Sequence, residues 1–412
     1  MKKLKQKLKK LNKVFSNFLL YLFIFLLPTQ FGKHFFFDFS YISGVRIDYL
    51  SIIIYAVDIL AFILVILNAK NILRYFDKKT LLIFVFLAIV NIAVSLSKPV
   101  AIYKWIRVAE LFFIAYLLMS VSYNPRRILH VFLASTALQF FLIVTQFIGK
   151  QSLQGIFYFL GERYFNLSTP GIAKTSLQGV EILRPYGTFS HPNSMAGFYV
   201  LMYAFIISHN PFRKFLVLKN VLILFTALLI LLSFSKVAIF TFITVTFLYF
   251  VLSQEKKRCI ICIVARSLVM LTVSSVFFWS QNDPYTIEKR LALIKQSFFV
   301  LSSRPFFGTG LGSYLLSSSR FNLQDEGIFG QPVHNIFLLF FSEFGLVLGL
   351  LILIMLIRPI RKFFLRYPLI IISIVLTGMF DHYWYTLPQN MFLLAFVVGI
   401  TTSAPRVEAK KI

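Results

Sequence analysis

Three short polar segments interrupt a mostly apolar sequence and contain residue types suited to phosphate and hydroxyl chemistry. They are RPYGTFSHPN (184–193), SFSK (233–236) and QPVHN (331–335). Arg184 and Lys236 are cations that can bind an anionic phosphate, Arg through two oxygens at once and Lys as a point charge. His334 is a candidate base for a hydroxyl proton. Together these residues favour transfer of a group from a phosphate leaving group to a hydroxyl.

Each residue also has a simpler interpretation. Arg and Lys at a membrane boundary commonly anchor to lipid headgroups, and a single His there often only caps a helix or bonds a loop. His334 is predicted to occupy the first turn of a helix, after Pro332, where the positive end of the helix dipole keeps an imidazole neutral. The presence of three such segments in one chain favours the chemical interpretation.

A carboxylate that orients His334 is predicted to come from another helix. Glu343 follows His334 by nine residues, which is about 13 Å along a helix and half a turn around it. Asp381, in the segment FDHYW, is the better candidate. Asp381 could equally be a boundary carboxylate that bonds Tyr383 or water.

The composition predicts a membrane protein that holds these residues on transmembrane helices. Of 412 residues, 58% are hydrophobic and 50 are Phe, against roughly 45–50% apolar residues in soluble domains. Because a span needs about 20 apolar residues, we predict an all-α, polytopic bundle of about 12 spans. The predicted spans are 15–32, 49–67, 80–97, 104–121, 128–148, 193–208, 217–234, 237–252, 260–278, 334–357, 367–380 and 388–404.

The distribution of charge predicts the orientation of the bundle. Alternate gaps, beginning with the amino terminus, contain 27 of the 42 Lys and Arg residues, and such positive gaps face the cytoplasm. The prediction is a cytoplasmic amino terminus (1–14), one transmembrane domain (15–404) and a cytoplasmic tail (405–412). Two long loops, about 149–192 and 279–333, are then extracytoplasmic, and polar chain of that length at a membrane surface usually has a function.

The second long loop is predicted to contain an amphipathic helix. Asp283 and Pro284 form a helix-start signal, and apolar residues share one face of the following segment. They are Ile287, Leu291, Ile294, Phe298 and Leu301. The helix either lies on the lipid surface or forms a movable lid over a lipid substrate.

Several other patterns in the sequence give little indication of function. The net charge of +27 is distributed between apolar runs, which argues against nucleic-acid binding. Cys259 and Cys262 have no second pair or nearby His that would complete a zinc site. No metal-ligand cluster is visible, so we predict neither a metal nor another cofactor. Within the spans, Arg107 is expected to pair with Glu110, whereas Asp58 has no evident partner.

The order of the motifs resembles the O-antigen ligase and polymerase superfamily. Four segments follow one another in the order typical of the family, over about 181–349. They are RPYGTFSHPN, SFSK, RPFFGTGLGSY (304–314) and HNIFLLFFSEFGLVLG (334–349). The resemblance implies a C-type glycosyltransferase that transfers or polymerises a glycan from a polyprenyl diphosphate at the outer face of a bacterial plasma membrane. The acceptor would be a glycan, a lipid or a protein.

The resemblance also implies roles for individual residues. His334 would be the general base, and Arg184 and Lys236 would bind the diphosphate of the donor. Lys236 stands where the family has Arg, which keeps the charge but removes two-point binding. Secondary candidates are His191, Asn193, Asn335, Glu343 and Asp381. The alternatives are a polysaccharide-lipid flippase without covalent chemistry, and a noncatalytic scaffold.

The predicted orientation can be tested by cysteine labelling in intact cells, with Cys259 and Cys262 replaced. An impermeant thiol reagent should modify single cysteines introduced at Pro170 or Arg320, in the loops assigned to the outside. It should not modify cysteines at Tyr75 or Lys362. Labelling in the opposite sense would show that the orientation is inverted.

Overall fold

A computed structural model describes residues 2–73, 77–252, 286–321 and 330–403, with a few isolated positions between 271 and 280. It is mostly helical. Its helices are α1 (Lys2–Leu26), α2 (Ala56–Leu73), α3 (Lys78–Val94), α4 (Lys98–Ser120), α5 (Pro125–Gly149), α6 (Pro192–Ser208), α7 (Leu216–Leu232), α8 (Lys236–Leu252), α9 (Thr286–Ser303), α10 (Tyr314–Ser318), α11 (Ile336–Arg366), α12 (Pro368–Gly378), α13 (Tyr383–Thr386) and α14 (Pro388–Thr402).

Eleven of the twelve predicted spans coincide with a helix, and the one at 260–278 lies almost entirely outside the described residues. Among the described residues α2, α5 and α11 are long and apolar enough to cross a membrane, while other apolar helices, including α7, α8, α12 and α14, are shorter. The helical class is therefore confirmed, and the number of crossings stays a prediction. Helix α11 continues beyond the predicted span 334–357, through Pro359 to Arg366.

Three small antiparallel strand pairs, which the all-α prediction lacked, lie between the helices. They are β1 (Gly32–Phe35) with β4 (Ile52–Tyr55), β2 (Tyr41–Ile42) with β3 (Val45–Arg46), and β5 (Lys174–Leu177) with β6 (Val180–Leu183). Two-residue turns with positive φ at both positions, such as Gln178 (50°) and Gly179 (82°), connect the tighter hairpins. Because β4 occupies the first part of the predicted span 49–67, α2 begins only at Ala56.

Helix α6 is the centre of the bundle. Almost all its residues are buried, and α7, α8, α12 and α14 pack around it. A helix that is apolar all round belongs in the core of a large protein. Because α6 is fixed on every side, its amino-terminal end at Pro192 is a rigid support for the polar residues just before and after it.

Helix α11 is broken at Gly345, which has φ 68° and ψ −179°. The preceding loop repairs the break with main-chain hydrogen bonds: Leu346 N–H donates to Pro305 O (2.7 Å) and Gly310 N–H donates to Glu343 O (3.0 Å). Non-helical backbone within an apolar bundle requires such internal partners. The GTGLGS loop and the SEFG segment are therefore two halves of one structural element.

Substitution of Gly345 should test this element. An alanine Cβ there would collide with the Phe306 main chain, and positive φ with extended ψ, a region almost restricted to Gly, adds about 1–3 kcal/mol of strain. Gly345→Ala should lower the melting temperature of the detergent-solubilised protein markedly. Gly149→Ala is the matched control, because its Cβ meets nothing within 4 Å. Equal melting temperatures for both variants and the unmodified protein would contradict the described break.

Candidate functional site

A cavity of about 1430 Å³ lies at one end of the bundle. Residues from all three polar segments line it, including Arg184, Lys236 and His334. His191, Asn193 and Asp381 line the same cavity, whereas Asn335 and Glu343 do not. Segments separated by about 150 residues in the sequence thus meet at one site.

Arg184 is buried, with 8% of its surface exposed. Its Nε donates to the Ser233 carbonyl (3.0 Å) and one terminal nitrogen donates to Asn193 Oδ1 (2.6 Å). Burial lowers the pKa of Arg184 to about 10, so the side chain stays charged at neutral pH. No carboxylate pairs with Arg184 among the residues that the structure describes.

The bond from Arg184 to Ser233 fixes Arg184 against the turn that holds Lys236. Phe234, in that turn, has a left-handed φ of 53°, and Lys236 is the first residue of α8. Lys236 is half-buried and faces the cavity. One hydrogen bond from the Arg184 side chain to the Ser233 main chain therefore joins the segments that contain Arg184 and Lys236.

The loop after Arg184 is held by two buried amides of α5. Gln146 Oε1 accepts from the main-chain N–H groups of Tyr186 (3.0 Å) and Gly187 (2.8 Å). Gln139 Oε1 accepts from the Thr188 N–H (3.2 Å). Gly187 has φ 58°, and a Cβ there would meet Gln139 at 2.7 Å, so the glycine of GTF is required by this packing.

His334 lies beside Asp381, with 3.5 Å between Nδ1 and Oδ1. Asn193 Nδ2 donates to the other carboxylate oxygen of Asp381 (3.2 Å). A polar chain therefore connects Arg184, Asn193, Asp381 and His334. Burial disfavours the charged form of Asp381, but contact with His334 and the nearby His382 and His191 rings holds the pKa of Asp381 well below its usual range.

Helix-capping contacts account for two of the secondary candidates. His191 caps α6, with Nδ1 accepting from the Asn193 N–H (3.1 Å), and burial lowers the pKa of His191 to about 3. Asn335 caps α11 by accepting from the Phe337 and Leu338 N–H groups. The expectation that His334 is in the first helical turn is wrong, because Asn335 is the cap and His334 precedes it.

Glu343 is buried away from the cavity and stabilises the broken helix. Its carboxylate accepts from the Tyr385 hydroxyl (2.7 Å) and lies 3.4 Å from the Tyr314 N–H. Sequence geometry separated Glu343 from His334, and the structure places the two residues in different surroundings. These contacts give Glu343 a structural role at the GTGLGS loop.

His382 is a site residue that the sequence reasoning did not single out. Its ring centroid is 5.2 Å from that of His334, and its Nδ1 is 2.7 Å from the Thr386 hydroxyl. Its position next to Asp381 in FDHYW was the available signal. Ligand atoms of His334, Asp381 and His382 lie within 4.8 Å of one another, a grouping that could hold a metal ion and that no single motif reveals.

Asp58, Arg107 and Glu110, the three charged residues noted within the predicted spans, form a largely buried triad. Arg107 Nη1 lies 2.5 Å from Asp58 Oδ1 and 2.9 Å from Glu110 Oε2. The expected Arg107–Glu110 pair is present, and Asp58 has the partner that the sequence did not reveal. Arg107 also lines the cavity, so the cavity extends from the polar end toward α4.

Helix α9 is the amphipathic helix expected in the second loop. Ile287, Leu291 and Phe298 are exposed, while Leu293 and Val300 are buried. Ile287, Arg290 and Leu293 line the cavity. The exposed apolar side chains suit a lipid surface, and one end of the helix contributes to the wall of the cavity, while the choice between a surface helix and a lid stays a prediction.

Comparison with known families identifies the central part of the chain. Residues 221–353 match the family described as O-antigen ligase. The matched region contains SFSK, the GTGLGS loop and the HN and SEFG segments, and covers about a third of the chain. The resemblance drawn from the motifs is thereby confirmed. A search of curated proteins found no match for the chain.

Asn193 should be essential to the stability of the site, because its amide bonds two charged groups. Hydrogen bonds to charged groups contribute about 1.5–3 kcal/mol each, so Asn193→Leu should lower the free energy of unfolding by at least about 2 kcal/mol. Chemical or thermal unfolding in detergent measures this. Asn71→Leu, at an exposed position in α2, should change it little. An Asn193→Leu protein as stable as the unmodified one would show that the chain of contacts does not form.

Proposed function

We propose that the protein transfers or polymerises a polyprenyl-diphosphate-linked glycan onto an acceptor hydroxyl at the outer face of the plasma membrane. The match of residues 221–353 to the O-antigen ligase family supports a membrane glycan-transfer function. One observation carries this proposal: two cations without carboxylate partners among the described residues share a cavity with a His–Asp pair.

Arg184 and Lys236 bind the diphosphate of the donor. Arg184 keeps one guanidinium edge on Ser233 and Asn193, which fixes its orientation before the substrate arrives. Such preorganised charge stabilises negative charge that develops on the leaving group. Lys236 contributes a point charge that can follow the phosphate oxygens.

His334 takes the proton of the acceptor hydroxyl. The hydroxyl oxygen forms a bond to the anomeric carbon as the bond from that carbon to the phosphate oxygen breaks, and polyprenyl diphosphate leaves. The proton passes to His334, and attack opposite the leaving group inverts the anomeric configuration. Asp381 faces Nδ1 of His334, which leaves Nε2 for the hydroxyl and stabilises the imidazolium that forms.

The reaction proceeds without a metal ion in this proposal, since the cations neutralise the diphosphate. The His334–Asp381–His382 grouping offers a competing interpretation in which an ion occupies the ring nitrogen that Asp381 faces. A bound ion would withdraw His334 from proton transfer. A requirement for a metal ion at this grouping would therefore also argue against His334 as the base.

A flippase without covalent chemistry is the second candidate. The Asp58–Arg107–Glu110 triad favours it, because ionisable groups within spans often mark a transport path and Arg107 lines the cavity. A flippase, however, does not need the His–Asp pair. Detection of a new glycosidic bond separates the two candidates.

Purified protein in liposomes should transfer glycan from a polyprenyl-diphosphate donor and release polyprenyl diphosphate in equal amount. Activity should persist in excess EDTA. Activity lost to EDTA and restored by a divalent ion would refute the metal-free mechanism, and glycan movement without bond formation would favour the flippase.

At the diphosphate contact, Lys236→Ala should lower kcat/KM by about tenfold or more, since a charged hydrogen bond contributes about 1.5–3 kcal/mol. Lys236→Arg should be tolerated.

A further inference from the structure

The cavity carries more positive charge than a diphosphate requires. Among the residues that the structure describes, its lining includes the cations Lys104, Arg107, Arg163, Lys174, Arg184, Lys236 and Arg290, against the acids Asp48, Glu162 and Asp381. Arg107 is paired with Asp58 and Glu110, and Lys174 is paired with Glu181. Lys289, which also lines the cavity, is not free either. Asp48 is in turn paired with Arg46. A positive surplus remains at Lys104, Arg163, Arg184, Lys236 and Arg290.

Two members of this surplus, Arg163 and Arg290, contact main-chain carbonyl groups of the described residues. Arg163 Nη1 donates to Ser190 O (3.2 Å) and Arg290 Nη1 lies 3.4 Å from Phe380 O. Neither forms an ion pair within the part of the chain that the structure describes. Both side chains keep donors available for an anion.

The two arginines come from different outer segments and flank the reaction site. Ser190, the partner of Arg163, precedes His191, and Phe380, the partner of Arg290, precedes Asp381. Arg290 also lines the cavity that Arg184 lines. Its contact with Phe380 places it beside the Asp381 segment of the site.

We propose, resting on the proposed function, that the transferred glycan is itself anionic and that Arg163 and Arg290 bind its acidic groups. Arg184 and Lys236 account for the diphosphate, so two further arginines imply further negative charge on the same substrate. Arginine can bind either carboxylate or phosphate through paired N–H groups. The substrate class is a polyprenyl-linked glycan that bears carboxylate or phosphate substituents near its reducing end.

A competing explanation is that the two arginines bind anionic lipid headgroups. Arg163 is exposed, and its neighbours Tyr158, Phe159 and Tyr164 are exposed aromatic residues of the kind that gather at membrane interfaces. Arg290, however, is half-buried in the cavity wall, away from the exposed face of α9. The position of Arg290 favours the glycan.

The first test uses the lipid-linked glycan that accumulates when the gene is deleted. Mild acid releases the glycan from its diphosphate, and anion-exchange chromatography at pH 7 with a phosphorus assay then reports its charge. A retained glycan supports the proposal, and phosphorus content distinguishes phosphate from carboxylate. A neutral glycan overturns it while leaving the proposed function intact. Absence of any accumulated lipid-linked glycan overturns the proposed function and this inference together.

The second test uses the purified full chain in liposomes of neutral phosphatidylcholine, with that extracted lipid-linked glycan as donor. The Arg163→Gln, Arg290→Gln double variant should lose about tenfold in kcat/KM, mainly through KM. Lys150→Gln, at an exposed outer-loop residue that does not line the cavity, should keep the normal value. An unchanged double variant, or a loss seen only in liposomes with anionic phospholipid, would overturn glycan binding, the latter in favour of headgroup contact.

Discussion

The site depends on a buried guanidinium whose loss of water must be compensated by hydrogen bonds. A charge inside an apolar bundle is costly unless hydrogen bonds compensate for lost water. The compensation at Arg184 comes from the Ser233 carbonyl and the Asn193 amide. One ligand fixes the turn before Lys236 and the other leads to Asp381 and His334. The requirement to satisfy one cation thus assembles both halves of the proposed chemistry.

The second constraint is the break in α11. Helix α11 begins immediately after His334 and is interrupted at Gly345, where the 305–310 loop supplies the missing main-chain partners. Glu343 and Tyr385 tie this loop to the segment that follows Asp381. Glu343, a polar residue of the SEFG motif, therefore has a structural role. Its contact with Tyr385 helps to position His334 relative to Asp381.

Much of this arrangement could be predicted from the sequence, and the reasons for the exceptions are physical. Long apolar runs and Pro or Asn start signals located the helices, because each depends on local chain chemistry. Asp381 was selected as the partner of His334 by excluding Glu343 through helix periodicity. The Asp58–Arg107 pair and the grouping of His382 with His334 could not be foreseen, because both are contacts between residues distant in the chain. The strand pairs were missed since each is only two to four residues long.

The central claim is that His334 removes the acceptor proton, and the turnover of the His334→Gln variant tests it most directly. His334→Gln should reduce glycan transfer by about 10²–10⁴-fold, while binding of the donor persists through Arg184 and Lys236. Transfer at the normal rate by His334→Gln would contradict the account, and so would a loss of donor binding, which would make His334 a phosphate contact.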